Sequence, residues 1–239
     1  MRILIINPNS TSSMTETILA SARGVASTDA EVVGFTAPRG PNAIESYVDD
    51  AFAAPEVLQA IGSQKGFDAY VIACSNDPGL FAARELTEAP VVGVGEAAFL
   101  QACLLAPTFA VVTTLSRAVG QTWHQLDSYG LRSRCAAVLA AEVPVLETHS
   151  GADESYQALM ASARSASDLH GAEAIALGCA GMSSLARRME SELRMPVIDG
   201  VAAAVSMAEG LVRCGHHTSK AITYAWPVDV VYKGVKRPF

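Results

Sequence analysis

"AYVIACSNDPGLFAARELTEAPVVGVGEAAFLQA", residues 69–102, runs in order through an apolar strand, a cysteine, a short helix, a proline, a second strand and a small-residue helix. The stretch "AIALGCAGMSSLARRMESELRMPVIDGVAAAVSMA", residues 174–208, repeats that order with one inserted residue. Cys74 falls on Cys179, a Leu-Ala-Arg or Ala-Ala-Arg stretch follows in both, and Pro90 falls on Pro196. The shared order points to a structural duplication, with strands over 2–6 and 109–113 as the matching openers of the two copies.

Working outward, strand-like runs and helical stretches alternate along the whole chain. Strands are expected over 2–6, 31–35, 69–73 and 91–93, then 109–113, 135–139, 174–177 and 197–198. Helices are expected over 13–25, 47–62, 79–87 and 96–105, and from Ser116, Asp153, Met182 and Val201. Ser13-Met14-Thr15-Glu16 has the spacing of a capping box. The strands are rich in Val, Ile and Ala without polar alternation, as in a parallel sheet covered on both faces. The class is therefore α/β: two pseudo-symmetric lobes, each a mostly parallel sheet flanked by helices, with the active site in the cleft between them. Residues 1–104 with 208–239 are expected to form the first lobe and 105–207 the second.

Composition narrows the function. The 239 residues are 50% apolar and 17% charged, enough to build a sizeable core. The net charge is −7 and no basic run could neutralise a row of phosphates, so nucleic acid is not an expected partner. The longest apolar stretch, 97–112, is broken by Gln101, Pro107 and Thr108 and falls short of the ~18 residues a membrane span needs. The first apolar run stops at Asn7-Pro8-Asn9, too early for a signal peptide. Five widely spaced cysteines without a CxxC fit reduced thiols in a cytoplasm.

Ligands of open parallel sheets bind beyond the carboxyl ends of the strands. The loops there are Asn7-Pro8-Asn9-Ser10-Thr11, Cys74-Ser75-Asn76-Asp77, Thr113-Thr114 and Cys179-Ala180-Gly181-Met182. Free amides of helices about to start are expected to lower the pKa of a nearby thiol. Cys103, Cys135 and Cys214 read as structural fillers, because cysteine is often a small buried apolar residue. Cys74 and Cys179 differ, since position and internal symmetry place both at one cleft. Two thiols approaching a ligand from opposite sides suit removal of a proton from one face of a carbon acid and its return to the other. The loop amides with Ser75, Asn76 and Thr113-Thr114 would then meet the developing enolate oxygen. Asn7, Pro8 and Asn9 face the same cleft, and neither metal nor organic cofactor is required.

The remaining motifs are less specific. Gly93-Val94-Gly95-Glu96-Ala97-Ala98 fits G-x-G-x-x-A, but its strand is short and late in the lobe, so a tight strand-to-helix turn is expected, with Glu96 capping its helix. Asp77-Pro78-Gly79 reads as helix-start chemistry. His124, His149, His170, His216 and His217 show no ligand-like pairing, and HExxH, GxSxG and GxxxxGK[ST] are missing. Segment 36–62 is expected to supply part of the pocket, with Tyr47 and Phe52 packed into the core.

The residues resemble the aspartate/glutamate racemase superfamily, and within it the hydantoin and allantoin racemases. The resemblance rests on "INPNST" at 6–11, "ACSNDPGL" at 73–80, "PVVGVGEAA" at 90–98 and "LGCAGM" at 177–182. It implies a cofactor-independent racemase with Cys74 and Cys179 as acid/base thiols, acting on 5-substituted hydantoins, a cyclic ureide class that includes allantoin. It also implies a homo-oligomer, a tetramer or hexamer. Ser75 and Asn76 stand where members often carry a bulky aromatic and a glycine or acid, and Ala180-Gly181 replaces the Thr-His of amino-acid racemases. An amino-acid racemase, a one-thiol isomerase of the same superfamily and a small-molecule binding protein with inert thiols are the competing readings.

Overall fold

The computed structural model describes residues 1–148 and 153–233. The first half runs β1 (Arg2–Asn7), α1 (Ser12–Val25), β2 (Glu31–Thr36), α2 (Tyr47–Ser63), β3 (Ala69–Ile72), α3 (Leu80–Glu85), β4 (Val91–Gly93) and α4 (Val94–Leu105). The second runs β5 (Phe109–Thr113), α5 (Ser116–Ser128), β6 (Cys135–Ala140), α6 (Val145–Thr148), α7 (Asp153–His170), β7 (Ile175–Leu177), α8 (Ala186–Leu193), β8 (Val197–Ile198) and α9 (Gly200–Arg213).

Each half forms a four-stranded sheet, in the orders β2-β1-β3-β4 and β6-β5-β7-β8, and every pairing is parallel. The two orders are equivalent, so β3 matches β7 as the duplicated stretches predict. Parallel neighbours need long crossovers, and helices supply most of them here. β1, β3, β5 and β7 are buried almost throughout because both faces are covered, which is why they lack polar alternation.

One core cluster joins the halves, with Ile3, Ile5 and Phe99 from the first and Phe109, Val111, Ala176 and Val205 from the second. Phe99 and Phe109 stack with ring centroids 5.8 Å apart. The pseudo-equivalent helices α4 and α9 lie against one another, and small residues allow it: a Cβ on Gly200 would stand 2.6 Å from the Val94 carbonyl oxygen. Two further clusters fill the outer faces, one per sheet.

Four local expectations change. α1 begins at Ser12 with Thr11 as its N-cap and no side-chain cap bond, so no capping box forms. Asn9 Oδ1 takes the Thr11 N–H at 2.9 Å instead, and Asn7 Nδ2 donates to the same oxygen. The helix expected over 79–87 shortens to Leu80–Glu85; at its start Gly79 takes a positive φ and is the N-cap rather than a helical residue. The helix expected from Met182 is a 3-10 segment, Ala180–Leu185, before α8. Within it Ser183 Oγ is bonded to Ala180 O and Asp199 Oδ1, the local competition that disfavours a regular α start. Tyr47 and Phe52 are not core residues: they are 56% and 68% exposed. They sit on α2 away from its buried side, formed by Ala53, Val57, Ala60 and Ile61.

Candidate active site

The two cysteines leave their sheets by the same construction. The N–H of Ala73 donates to Ile6 O at 2.8 Å, and that of Gly178 donates to Val112 O at 2.8 Å. Each bond fixes the residue before a cysteine to the central strand of its sheet. The chain then turns away: Cys74 O accepts from Asp77 N at 2.9 Å, and Cys179 O from Met182 N at 3.1 Å. A strand end followed at once by a turn leaves both thiols at the carboxyl edge of the sheets.

Both thiols line one small cavity of about 30 Å³, together with Asn9, Ser75, Asn76, Thr113, Thr114 and Ala180. Met14, Ile44, Glu45 and Val145 also line it. A larger cleft of about 840 Å³ lies between α1 and α8, lined by Thr17, Ser21, Arg187 and Asp199, and neither thiol borders it.

The expected lowering of the thiol pKa is not what the surroundings give. Burial pushes Cys74 well above the ordinary cysteine range; the Asp50 carboxylate raises it further, and the Asn76 amide opposes the rise. Burial also pushes Cys179 up, against the Gly181 amide, the Thr148 hydroxyl and the Met182 amide. The helix-start amides do act on the sulfurs, but desolvation of a thiolate among the side chains around it is the larger effect. Thr148 Oγ1 lies 3.8 Å from Cys179 Sγ and 2.7 Å from Val145 O, so its single proton can serve either acceptor.

The other residues singled out from the sequence divide. Asn9, Thr113 and Thr114 are buried against the cavity. Asn7 is buried but forms the floor of its loop, donating to Asn9 Oδ1, Thr11 O and Thr15 Oγ1 rather than facing the thiols. Pro8 and Gly181 are not in the cavity wall. Gly181 acts indirectly: a Cβ there would collide with Thr148 Oγ1 and stand 3.5 Å from Cys179 Sγ. Ser75 Oγ points across the cleft to Gly178 O at 2.6 Å.

Asp77 does more than start α3. Its carboxylate accepts from Gly95 N at 3.0 Å, Glu96 N at 2.7 Å, Gln125 Nε2 at 2.9 Å and Tyr129 OH at 2.7 Å. It therefore caps α4 from another loop, and it ties α5 to the Cys74 turn. This explains the G-x-G pattern: a Cβ on Gly93 would overlap Asp77, and one on Gly95 would overlap Ser75 O. Glu96 does not cap its own helix; it pairs with Arg84.

Glu45, Thr148, Asp50 and Gln125 escape sequence reasoning. Glu45 sits in an irregular loop and takes the Val145 N–H at 2.8 Å from the opposite half. Thr148 ends a four-residue helix. Neither position belongs to a periodic pattern or a motif. Among the described residues no group of three or more His, Cys, Asp or Glu is placed to hold a metal ion, and no helix is long and apolar enough to cross a membrane. His149 lies outside the described residues.

Comparison with known proteins is consistent across the chain. A family profile described as Asp/Glu/Hydantoin racemase matches residues 3–208. A hydantoin racemase of Rhizobium meliloti is 44% identical over 95% of this chain and 95% of its own length. A hydantoin racemase of Pseudomonas sp. (strain NS671) is 41% identical over 100% of this chain and 97% of its own. The structure of an allantoin racemase from Klebsiella pneumoniae superimposes with a TM-score of 0.95 at 42% identity, covering 100% of this chain and 98% of that one.

Proposed function

The chain belongs to the Asp/Glu/hydantoin racemase family, and from that premise we propose that it is a cofactor-independent racemase inverting the C5 stereocentre of 5-substituted hydantoins with Cys74 and Cys179 as its two acid/base groups. The observation that carries the proposal is the pair of thiols closing one cavity from equivalent positions in the two halves.

The hydrogen on C5 of a hydantoin is acidified by the adjacent carbonyl. One cysteine, as thiolate, removes it from one face; the electron pair of the C–H bond moves into the ring and onto that carbonyl oxygen. The other cysteine, as thiol, protonates C5 from the opposite face, and the oxygen's charge returns to carbon. One turnover exchanges the protonation states of the two thiols, and proton exchange with water or the reverse turnover restores them. Hydroxyls of Thr113 and Thr114 and the amides following each cysteine are the donors available for the enolate oxygen. Raised thiol pKa values suit this work, because a more basic thiolate is the stronger acceptor for a carbon-bound proton.

A cavity of about 30 Å³ holds no more than a water or so, so we propose that the loops around the thiols shift to admit the ring. Bonds that tie these loops across the cleft include Ser75 Oγ to Gly178 O, Val145 N to Glu45 Oε1 and Gln125 Nε2 to Ser75 O. We further propose a homo-oligomer, supported by the exposed Leu100, Leu104 and Leu105 on α4, and a reducing cytoplasmic setting, supported by five free cysteines. Sedimentation measures the first.

The activity is tested by following the optical rotation of an enantiopure 5-substituted hydantoin in deuterated water with no added cofactor. Loss of rotation with one deuterium at C5 is the expected result. Unchanged rotation across a panel that includes allantoin rejects it and leaves an amino-acid racemase, a one-thiol isomerase or a binding protein with inert thiols.

A further inference from the structure

Beside the thiol cavity lies a second chamber of about 220 Å³, and Asn76 lines both. Asp50, Gln121, Tyr47 and His124 are among its other walls. It stands between the start of α2 and the face of α5, and Tyr47 OH and His124 Nδ1 meet across it at 2.5 Å.

Two atoms in these walls are anomalous. Asp50 Oδ1 and Gln121 Oε1 are buried and have no hydrogen-bond partner among the described residues. Gln121 as a residue is only 7% exposed. An unpartnered buried acceptor is destabilising, so native structures rarely keep one without a reason. Here two acceptors line the same chamber, next to the cavity where C5 of the substrate would sit, and both accept hydrogen bonds only through oxygen. Asp50 also carries negative charge: burial raises its pKa to about 6, opposed by hydrogen bonding of the Asn76 side chain to the carboxylate, so it is largely ionised above neutrality.

Resting on the racemase reading, we propose that this chamber receives the C5 substituent of the substrate and that Asp50 and Gln121 select an arm rich in N–H donors over an alkyl or aromatic arm. A neutral ureido group and a cationic guanidino group share that chemistry. Both present planar N–H groups to paired oxygens, whereas an alkyl arm leaves both oxygens unsatisfied. Recognition of this kind discriminates strongly, because the wrong substrate strands buried polar groups.

The test compares kcat/KM by polarimetry for a 5-ureido, a 5-(guanidinopropyl) and a 5-isobutyl hydantoin in wild type, Gln121→Leu and Asp50→Asn. The wild type is expected to favour at least one N–H-bearing arm over isobutyl by tenfold or more, and Gln121→Leu to reduce that ratio by about tenfold. Asp50→Asn distinguishes the two arms: a loss confined to the guanidino substrate identifies a cation site, and a loss shared by both identifies a neutral donor site. A wild type that favours isobutyl, or a ratio untouched in Gln121→Leu, overturns the proposal while leaving racemisation itself intact. Should the wild type racemise no hydantoin, the activity reading fails, and calorimetric titration of 5-ureidohydantoin into wild type and Gln121→Leu still decides the chamber: weaker binding by the variant supports it, and equal binding or none overturns it.

Discussion

Ser75 Oγ donates to the carbonyl oxygen of Gly178 at 2.6 Å, so the residue after one thiol is tied to the residue before the other. The bond spans the cleft between the two halves and fixes the loops that carry both cysteines. Ser75→Ala removes it and leaves the Gly178 carbonyl without this donor. We expect a stability loss of about 1 kcal/mol and a fall in kcat of about tenfold, since misplacing catalytic groups by a fraction of an ångström is costly. Urea denaturation and polarimetry measure the two effects; a full-speed Ser75→Ala enzyme would show that the bond does not set the thiol geometry.

Replacing either thiol separates a two-base from a one-base reaction. Cys74→Ser and Cys179→Ser are each expected to lower racemisation by about 10²–10⁴-fold, because the hydroxyl is far too weak an acid to exchange roles with a thiolate. Each variant keeps one working base and is expected to exchange the C5 hydrogen of one enantiomer with solvent, the two variants acting on opposite enantiomers. Proton NMR of each enantiomer in deuterated water reads this directly. Normal racemisation by either variant sinks the two-thiol mechanism.

The pH dependence follows from burial of the thiols. Both pKa values lie above the ordinary cysteine value of ~8.5, with burial as the main cause. The thiolate fraction therefore grows with pH, and kcat/KM is expected to rise through the neutral range and keep rising past the ordinary thiol value. Thr148 opposes the rise at Cys179, so Thr148→Val should move that limb to still higher pH. The limb reports the coupled pair rather than one residue. A profile for Thr148→Val that overlays wild type would mean that the hydroxyl keeps its proton on Val145 O throughout.

What the sequence revealed and what it concealed have the same physical origin. The two parallel sheets and the equivalent places of Cys74 and Cys179 were legible because burial on both faces forces unbroken apolar strands, and because the duplication writes the same order of elements twice. Thiol acidity was misjudged: helix-start amides can be inferred from order along the chain, but closure of a cavity around a sulfur depends on loops that meet only in three dimensions. Glu45 and Thr148 were invisible for the same reason, one reaching the site from an irregular loop and the other from the end of a four-residue helix. Tyr47 and Phe52 were misplaced because aromatic character was taken as core character, whereas the small residues of α2 are the ones that pack inward.

Asp77 supplies the sharpest structural prediction. Its carboxylate accepts from Gly95 N, Glu96 N, Gln125 Nε2 and Tyr129 OH, two of them the free amides at the start of α4 and two of them side chains of the opposite half. Asp77→Ala strands the Gly95 and Glu96 amides and the Tyr129 hydroxyl, while Gln125 Nε2 keeps the Ser75 carbonyl as its acceptor, and we expect a loss of about 3–5 kcal/mol, near the upper end for a single substitution. Asp77→Asn is expected to recover little, because its amide presents two N–H groups where only acceptors fit. Asp77→Glu is expected to fail as well, since the glycines at 93 and 95 leave no space for a longer side chain beside the backbone. Thermal and denaturant unfolding followed by circular dichroism compares the three. A loss under about 1 kcal/mol in Asp77→Ala would show that water replaces the carboxylate at these donors, and the conserved order of loss predicted here, Ala and Asn both severe, distinguishes a buried cap from a surface one.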